Sequence, residues 1–170
     1  IHVMKMCQAF ADNGHEVVLL APDAKDQYEG YEDDIYQYYG GGIYCYYANP
    51  QLRYLIVYNN SSLNEGGGFY LKNSNPNISN VTVSNNSSAY GGGIFSASSN
   101  ATITNSLVKL NTAGSEGGGL YLSYNSDFIM NDVLITYNNA NINGGGLFLN
   151  WSNPEYDNVL IGNNSVPSNG

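Results

Sequence analysis

Residues Tyr38 to Tyr47 read YYGGGIYCYY, and the triplet Gly40-Gly41-Gly42 divides two kinds of chain. Residues 1–39 hold eight acids and two bases, whereas residues 40–170 hold six acids and three bases among many Asn, Ser, Gly and Tyr. The triplet also recurs. GGG begins at Gly40, Gly66, Gly91, Gly117 and Gly144, at spacings of 26, 25, 26 and 27 residues. A near-constant period of this length marks a stacked repeat, in which each copy is too small to bury its own apolar face.

Aligned on the first glycine, the copies share a grammar. The residue three positions on is Ile43, Phe69, Ile94, Leu120 or Leu147, always apolar. The next is Tyr44, Tyr70, Phe95, Tyr121 or Phe148, always aromatic, and Cys45, Leu71, Ser96, Leu122 or Leu149 follows. Alternation of period two predicts a strand. A turn comes next, at Asn49-Pro50, Asn75-Pro76, Asn100-Ala101, Ser126-Asp127 and Asn153-Pro154. A second short strand is expected with Leu52, Ile78, Ile103, Ile129 and Tyr156 facing inward. A third carries Leu55/Val57, Val81/Val83, Val133/Ile135 and Val159/Ile161, with Ser106/Val108 breaking the pattern in the third copy.

Each copy closes on Asn60, Asn86, Asn111, Asn138 or Asn164. Three short strands and three turns in one period predict an all-β chain, one rung of a parallel β-helix per copy. Five rungs at the interstrand spacing would form a rod on the order of 24 Å long. The five closing asparagines should stack into a structural ladder, each amide bonding its neighbours. The glycine triplet opens a rung where the backbone bends too sharply for a Cβ.

The repeat resembles the right-handed parallel β-helix repeats of large bacterial surface and secreted proteins, including autotransporter-like and polymorphic outer-membrane families. The resemblance covers residues 40–170. It implies a right-handed solenoid, an extracellular or cell-surface location, and a display or adhesion role. The same fold hosts polysaccharide lyases and hydrolases, so a carbohydrate-active enzyme is the alternative reading. The chain opens on Ile rather than Met, and residues 165–170 read as the link to another rung, so a piece of a longer product is expected.

Residues 1–39 form the other expected unit. Val3, Met6, Cys7 and Phe10 fall at i, i+3, i+4 and i+7, predicting a helix over residues 2–12. Asn13-Gly14 would stop it, and His15–Leu20 reads as a buried strand. HVMKMCQAFADNGHEVVLLAPD with the following YEDDIYQYYG resembles part of the N-terminal domain of family-4-type glycosyltransferases. The first strand and its glycine loop, and the second nucleotide-sugar-binding domain, have no counterpart here, so that activity is not carried over. The segment is expected either to cap the first rung or to be a joined piece of separate origin.

Chemistry is sparse in the array. No basic cluster suits nucleic acid, and no apolar run reaches the roughly 18 residues of a membrane helix. The triplets lack the Lys-Ser/Thr of a phosphate loop and the Asp of calcium-binding repeats. No catalytic residue, metal ligand or cofactor is therefore assigned. Cys7 and Cys45 are expected to be free thiols. The nearest acidic pairing is Asp127 with Glu155 and Asp157, and Glu65 and Glu116 share a rung position two rungs apart. Nine Asn-X-Ser/Thr sequences read as Asn-Ser turns rather than designed glycosylation. The candidate ligand-binding row is Tyr44, Tyr70, Phe95, Tyr121 and Phe148, which should face outward as a platform for a polysaccharide or cell-surface glycan. Tyr124 and Trp151, close to the following turn, would extend it.

Overall fold

The computed structural model describes residues 5–9, 17–21 and 39–167, and no helix occurs among them. β1 (Lys5–Ala9) and β2 (Val17–Ala21) pair antiparallel, from Lys5 with Ala21 to Ala9 with Val17. The expected strand is thus present, shifted slightly, but Lys5–Ala9 corrects the expected helix. The Val17–Ala21 run supplies Lys5–Ala9 with antiparallel backbone partners, and this pairing overrides the local helical spacing. The remainder of the expected helix, both histidines and the Cys7 side chain lie outside the described residues.

From Tyr39 onward the chain coils in five parallel rungs. The strand after each triplet is β3 (Ile43–Tyr46), β6 (Phe69–Lys72), β10 (Ile94–Ala97), β13 (Leu120–Ser123) or β16 (Leu147–Asn150), and these form one five-stranded sheet. A second sheet collects β4 (Gln51–Arg53) and β5 (Ile56–Tyr58), β7 (Asn77–Ser79) and β8 (Thr82–Ser84), then β11 (Thr102–Lys109), β14 (Ile129–Thr136) and β17 (Glu155–Gly162). The expected second and third strands are therefore two halves of one sheet. They meet at a left-handed residue: Tyr54, Asn80, Asn105, Asp132 or Asn158. A third sheet, β9 (Ser87–Tyr90), β12 (Thr112–Glu116) and β15 (Asn139–Ala140), occupies the polar stretch before the triplet, where no strand was expected. Its mostly small and polar side chains carry little hydrophobic signal, and backbone pairing with the rungs on either side supplies the missing stabilisation.

The fourth rung corrects one register. Both Tyr124 and Asn125 take positive φ, at 52° and 58°, so the first corner absorbs an extra residue there. Met130, not Ile129, then aligns with Ile103 and Tyr156. Met130 is buried and Ile129 exposed, as a one-residue slip in a strand demands. Asp127-Phe128 rather than Ser126-Asp127 takes the place of the Asn-Pro pairs, and Phe128 fills the corner beside the small, buried Ala101.

Inward columns such as Ile43, Phe69, Ile94 and Leu120, and Val57, Val83, Val108 and Ile135, make one continuous core. Ser106 stands in a column otherwise held by Leu55, Val81, Val133 and Val159. Its hydroxyl accepts from the Val81 N–H at 3.1 Å and donates to the Thr104 carbonyl at 2.7 Å, so the buried oxygen is satisfied. Cys45 is a free thiol in this core, and burial pushes its pKa up to about 12, which keeps it protonated and unreactive. At the first rung β2 lies alongside β3 and β4, and Ile43, Leu52 and Leu55 are buried. Leu149 and Ile161, on the fifth rung, are exposed.

The corner between the asparagine ladder and the triplet locks the rungs. Asn86 Oδ1 accepts from the Asn60 N–H at 2.9 Å and from Asn60 Nδ2 at 3.0 Å. Asn111 and Asn138 repeat this pattern for the rungs below them. The second amide hydrogen of each donates backwards, Asn111 Nδ2 to the Val83 carbonyl at 3.0 Å and Asn138 Nδ2 to Val108 at 3.0 Å. These amides lie on the triplets. Gly66 takes φ +69°, and a Cβ on Gly68 would come within 2.9 Å of a Val83 methyl and 3.0 Å of Asn86 Nδ2. A Cβ on Gly67 would run into the Ser87 carbonyl oxygen.

Replacing Asn111 with Ala orphans buried donors on Asn86 and the Val83 acceptor, each costing about 1–3 kcal/mol. A loss of about 3 kcal/mol or more in urea unfolding is expected for Asn111→Ala. Asn75→Ala removes a similar bond at an exposed corner, where water replaces it, and should cost under about 1 kcal/mol. Equal costs at the two positions would refute the ladder's role.

Candidate functional site

Alternation along β3, β6, β10, β13 and β16 puts the five aromatic residues on the face of the sheet opposite the core. The rings stack directly. Tyr44–Tyr70 centroids are 5.0 Å apart at 9°, Tyr70–Phe95 5.6 Å at 6°, Phe95–Tyr121 5.2 Å at 20°, and Tyr121–Phe148 5.0 Å at 34°. The expectation of an open platform is corrected: Tyr70, Phe95 and Tyr121 are only 3, 5 and 8% exposed. Ring faces are spent on one another, and Tyr39 and Tyr90 pack against Tyr70 and Tyr121 at 5.1 and 5.8 Å. Tyr39 and Tyr90, each the residue before a triplet, form this cover, because the left-handed first glycine turns the chain back over the sheet face. A Cβ on Gly66 would lie 2.9 Å from Tyr70 Cα. The row is therefore a second, outer core, with Tyr44 and Phe148 partly open at its ends.

Electrostatics in this outer core follow burial. Desolvation first, then Glu65, Tyr44, Tyr39 and Tyr46, push the Tyr70 phenol well above its ordinary value. Tyr121 is raised by burial, while the Asn150 amide, donating to its oxygen at 3.3 Å, works the other way. Burial also raises the Glu65 carboxyl, against the opposing pull of Lys72.

The acidic candidates do not converge. Asp127 accepts from the Asn153 N–H at 2.6 Å and so belongs to a corner ladder. Glu155 aligns with Ile129, and Asp157 with Asn131. Glu65 and Glu116 flank Tyr90 on successive rungs, and Glu116 accepts from Asn143 Nδ2 at 2.9 Å. Among the described residues no group of three or more His, Cys, Asp or Glu could hold a metal ion, and no helix is long and apolar enough to cross a membrane.

The exposed rings lie elsewhere, at the corners: Tyr54 and Tyr137 are each the one left-handed ring of their columns, and the first corner carries several. Tyr47, Asn73, Ser98, Tyr124 and Trp151 occupy one column, at φ between 50° and 59°. Left-handed backbone costs a residue with a Cβ about 1–2 kcal/mol, least for Asn. Tyr124 and Trp151 accept that cost on adjacent rungs and are 64 and 83% exposed. Beside them runs an exposed ladder in which Asn75, Asn100, Asp127 and Asn153 N–H groups donate to Asn49, Asn75, Asn100 and Asp127 side chains, at 2.6–2.9 Å. The repeat alignment contained the signal for this column: Asn73 and Ser98 at a turn mark the conformation that Tyr47, Tyr124 and Trp151 share.

Phe95→Ala tests the outer core. It should destabilise the fold by about 3–5 kcal/mol in urea unfolding, the range for deleting a buried aromatic ring. A change below about 1 kcal/mol would mean that the ring is free.

No curated protein and no solved structure matches the chain at a significant level. The family described as "Right handed beta helix region" matches residues 34–170. That span begins just before the first rung and includes all five triplets, so the chain belongs to the right-handed β-helix family.

Proposed function

We propose that this chain is part of a secreted or cell-surface protein that acts by display and adhesion, with carbohydrate as its contact partner. One observation carries the reading: the described outer surface is nearly uncharged yet studded with exposed aromatic residues, among them Tyr46, Tyr47, Tyr54, Tyr58, Tyr124, Tyr137 and Trp151. A rigid solenoid holds such rings at fixed spacing with little ordering cost on binding. Serine and asparagine corners between them offer hydroxyl and amide groups that match sugar hydroxyls. The resemblance of the repeat to bacterial surface and secreted proteins supports the location.

The test is co-sedimentation of the 170-residue chain with insoluble cellulose, chitin, xylan and mannan, followed by chain-length analysis of the polymer. Retention on at least one matrix with polymer length unchanged is expected. Retention on none would contradict the carbohydrate reading, and shortened polymer would replace display with catalysis.

A further inference from the structure

Resting on the carbohydrate reading above, we infer that the contact is made at the first corner of the fourth and fifth rungs, by Tyr124 and Trp151, and that its ligand is an uncharged polysaccharide. The corner needs a left-handed residue, and Asn73 and Ser98 meet that need in the second and third rungs. Neither the corner nor the core calls for an aromatic ring: Trp151 is the most exposed of the large apolar side chains described. Strained backbone bearing a side chain that the fold does not use points to a role outside the fold.

The surroundings specify the ligand. Asn75 and Asn100 have their side-chain oxygens taken by the N–H groups of the next rung, which leaves their Nδ2 donors turned to solvent. Asn153 is exposed beside them, and Asp127 contributes a carboxylate already engaged by the Asn153 N–H. Two rings beside a row of amides fit a pyranose, whose C–H face is apolar and whose rim carries hydroxyls. The charges disfavour the other class of glycan: no Lys or Arg lies on the fourth or fifth rung, the cation of this corner, Lys72, stands on the second rung where Glu65 opposes it, and Asp127 and Glu155 lie close to Tyr124 and Trp151. An anionic polymer would meet repulsion without a cation to offset it. An apolar protein partner is disfavoured too: of the exposed aliphatic residues of the second sheet, Ile129 alone borders this corner, while Leu134 and Leu160 lie further along the sheet.

Trp151 is the chain's single tryptophan, so its emission reports on this corner alone. The chain is titrated with dextran, mannan, laminarin and hydroxyethylcellulose, and with pectate and alginate as anionic polymers. At least one uncharged polymer should shift the emission to the blue and protect it from acrylamide, while pectate and alginate do neither. In affinity gel electrophoresis, Trp151→Ala and Tyr124→Asn should each weaken retention at least tenfold. The urea midpoint of Tyr124→Asn should stay at or above that of the parent chain, since Asn suits the corner better, and that of Trp151→Ala should be nearly unchanged, since Ala and Trp carry the same left-handed strain. Retention that leaves emission unchanged and survives both substitutions would overturn the site while leaving the carbohydrate reading intact. Binding confined to pectate or alginate would overturn the uncharged class. Failure of every polymer to bind, by emission, gel and co-sedimentation alike, would overturn the carbohydrate reading and the site with it.

Discussion

Everything in the coil depends on one contact, the asparagine amide lying on the glycine triplet of its own rung. The amide fits only because the triplet presents bare backbone. The triplet in turn is bare because carbonyl oxygens from its own and the next rung occupy the space a Cβ would need. Each central asparagine uses its oxygen for the rung before it, and its nitrogen for a carbonyl behind and an oxygen ahead. Among the described residues no buried side-chain nitrogen or oxygen is left without a partner. A polar column can therefore sit at the margin of the core without the penalty that buried amides usually carry.

This corner sets the phase of the rest of the rung. The left-handed first glycine turns the chain back over the sheet face, so that Tyr39 and Tyr90 lie against Tyr70 and Tyr121 of the following rung, and that geometry makes the aromatic row an outer core. The remaining corners impose a weaker demand, for a left-handed residue with no crowding. Asparagine meets it cheaply, and tyrosine or tryptophan meets it at some cost. The surface is thus divided between rings that hold the fold and rings that the fold merely tolerates, and the second group is where binding is sought.

Most of the architecture was legible because like residues stack on like. The triplets, the inward apolar columns and the asparagine ladder each repeat at the rung period, and each emerged in register. What remained hidden had no side-chain signature of its own. The third sheet is built mostly from small and polar residues, whose pairing is visible only once the rungs are stacked. The fourth rung's extra corner residue shifted Ile129 out and Met130 in, since an insertion beside two possible inward residues reads equally well either way. At Lys5–Ala9 helical spacing misled, because the apolar Val17–Ala21 run offers backbone partners that local periodicity does not reveal. The aromatic row was assigned to the correct face, but alternation cannot tell an open face from one covered by the chain's own turn. Trp151 and Tyr124 were visible as residues, whereas their strained backbone was not.

The most direct test of the central contact is side-chain and backbone hydrogen exchange by NMR at Asn86, Asn111 and Asn138. The account predicts that their Nδ2 and backbone protons exchange only on global unfolding, far more slowly than the Nδ2 protons of the exposed corner residues Asn75 and Asn100. Exchange of the ladder amides as fast as those at the exposed corner would contradict it, and the rungs would then have to be held by backbone pairing and apolar stacking without the ladder.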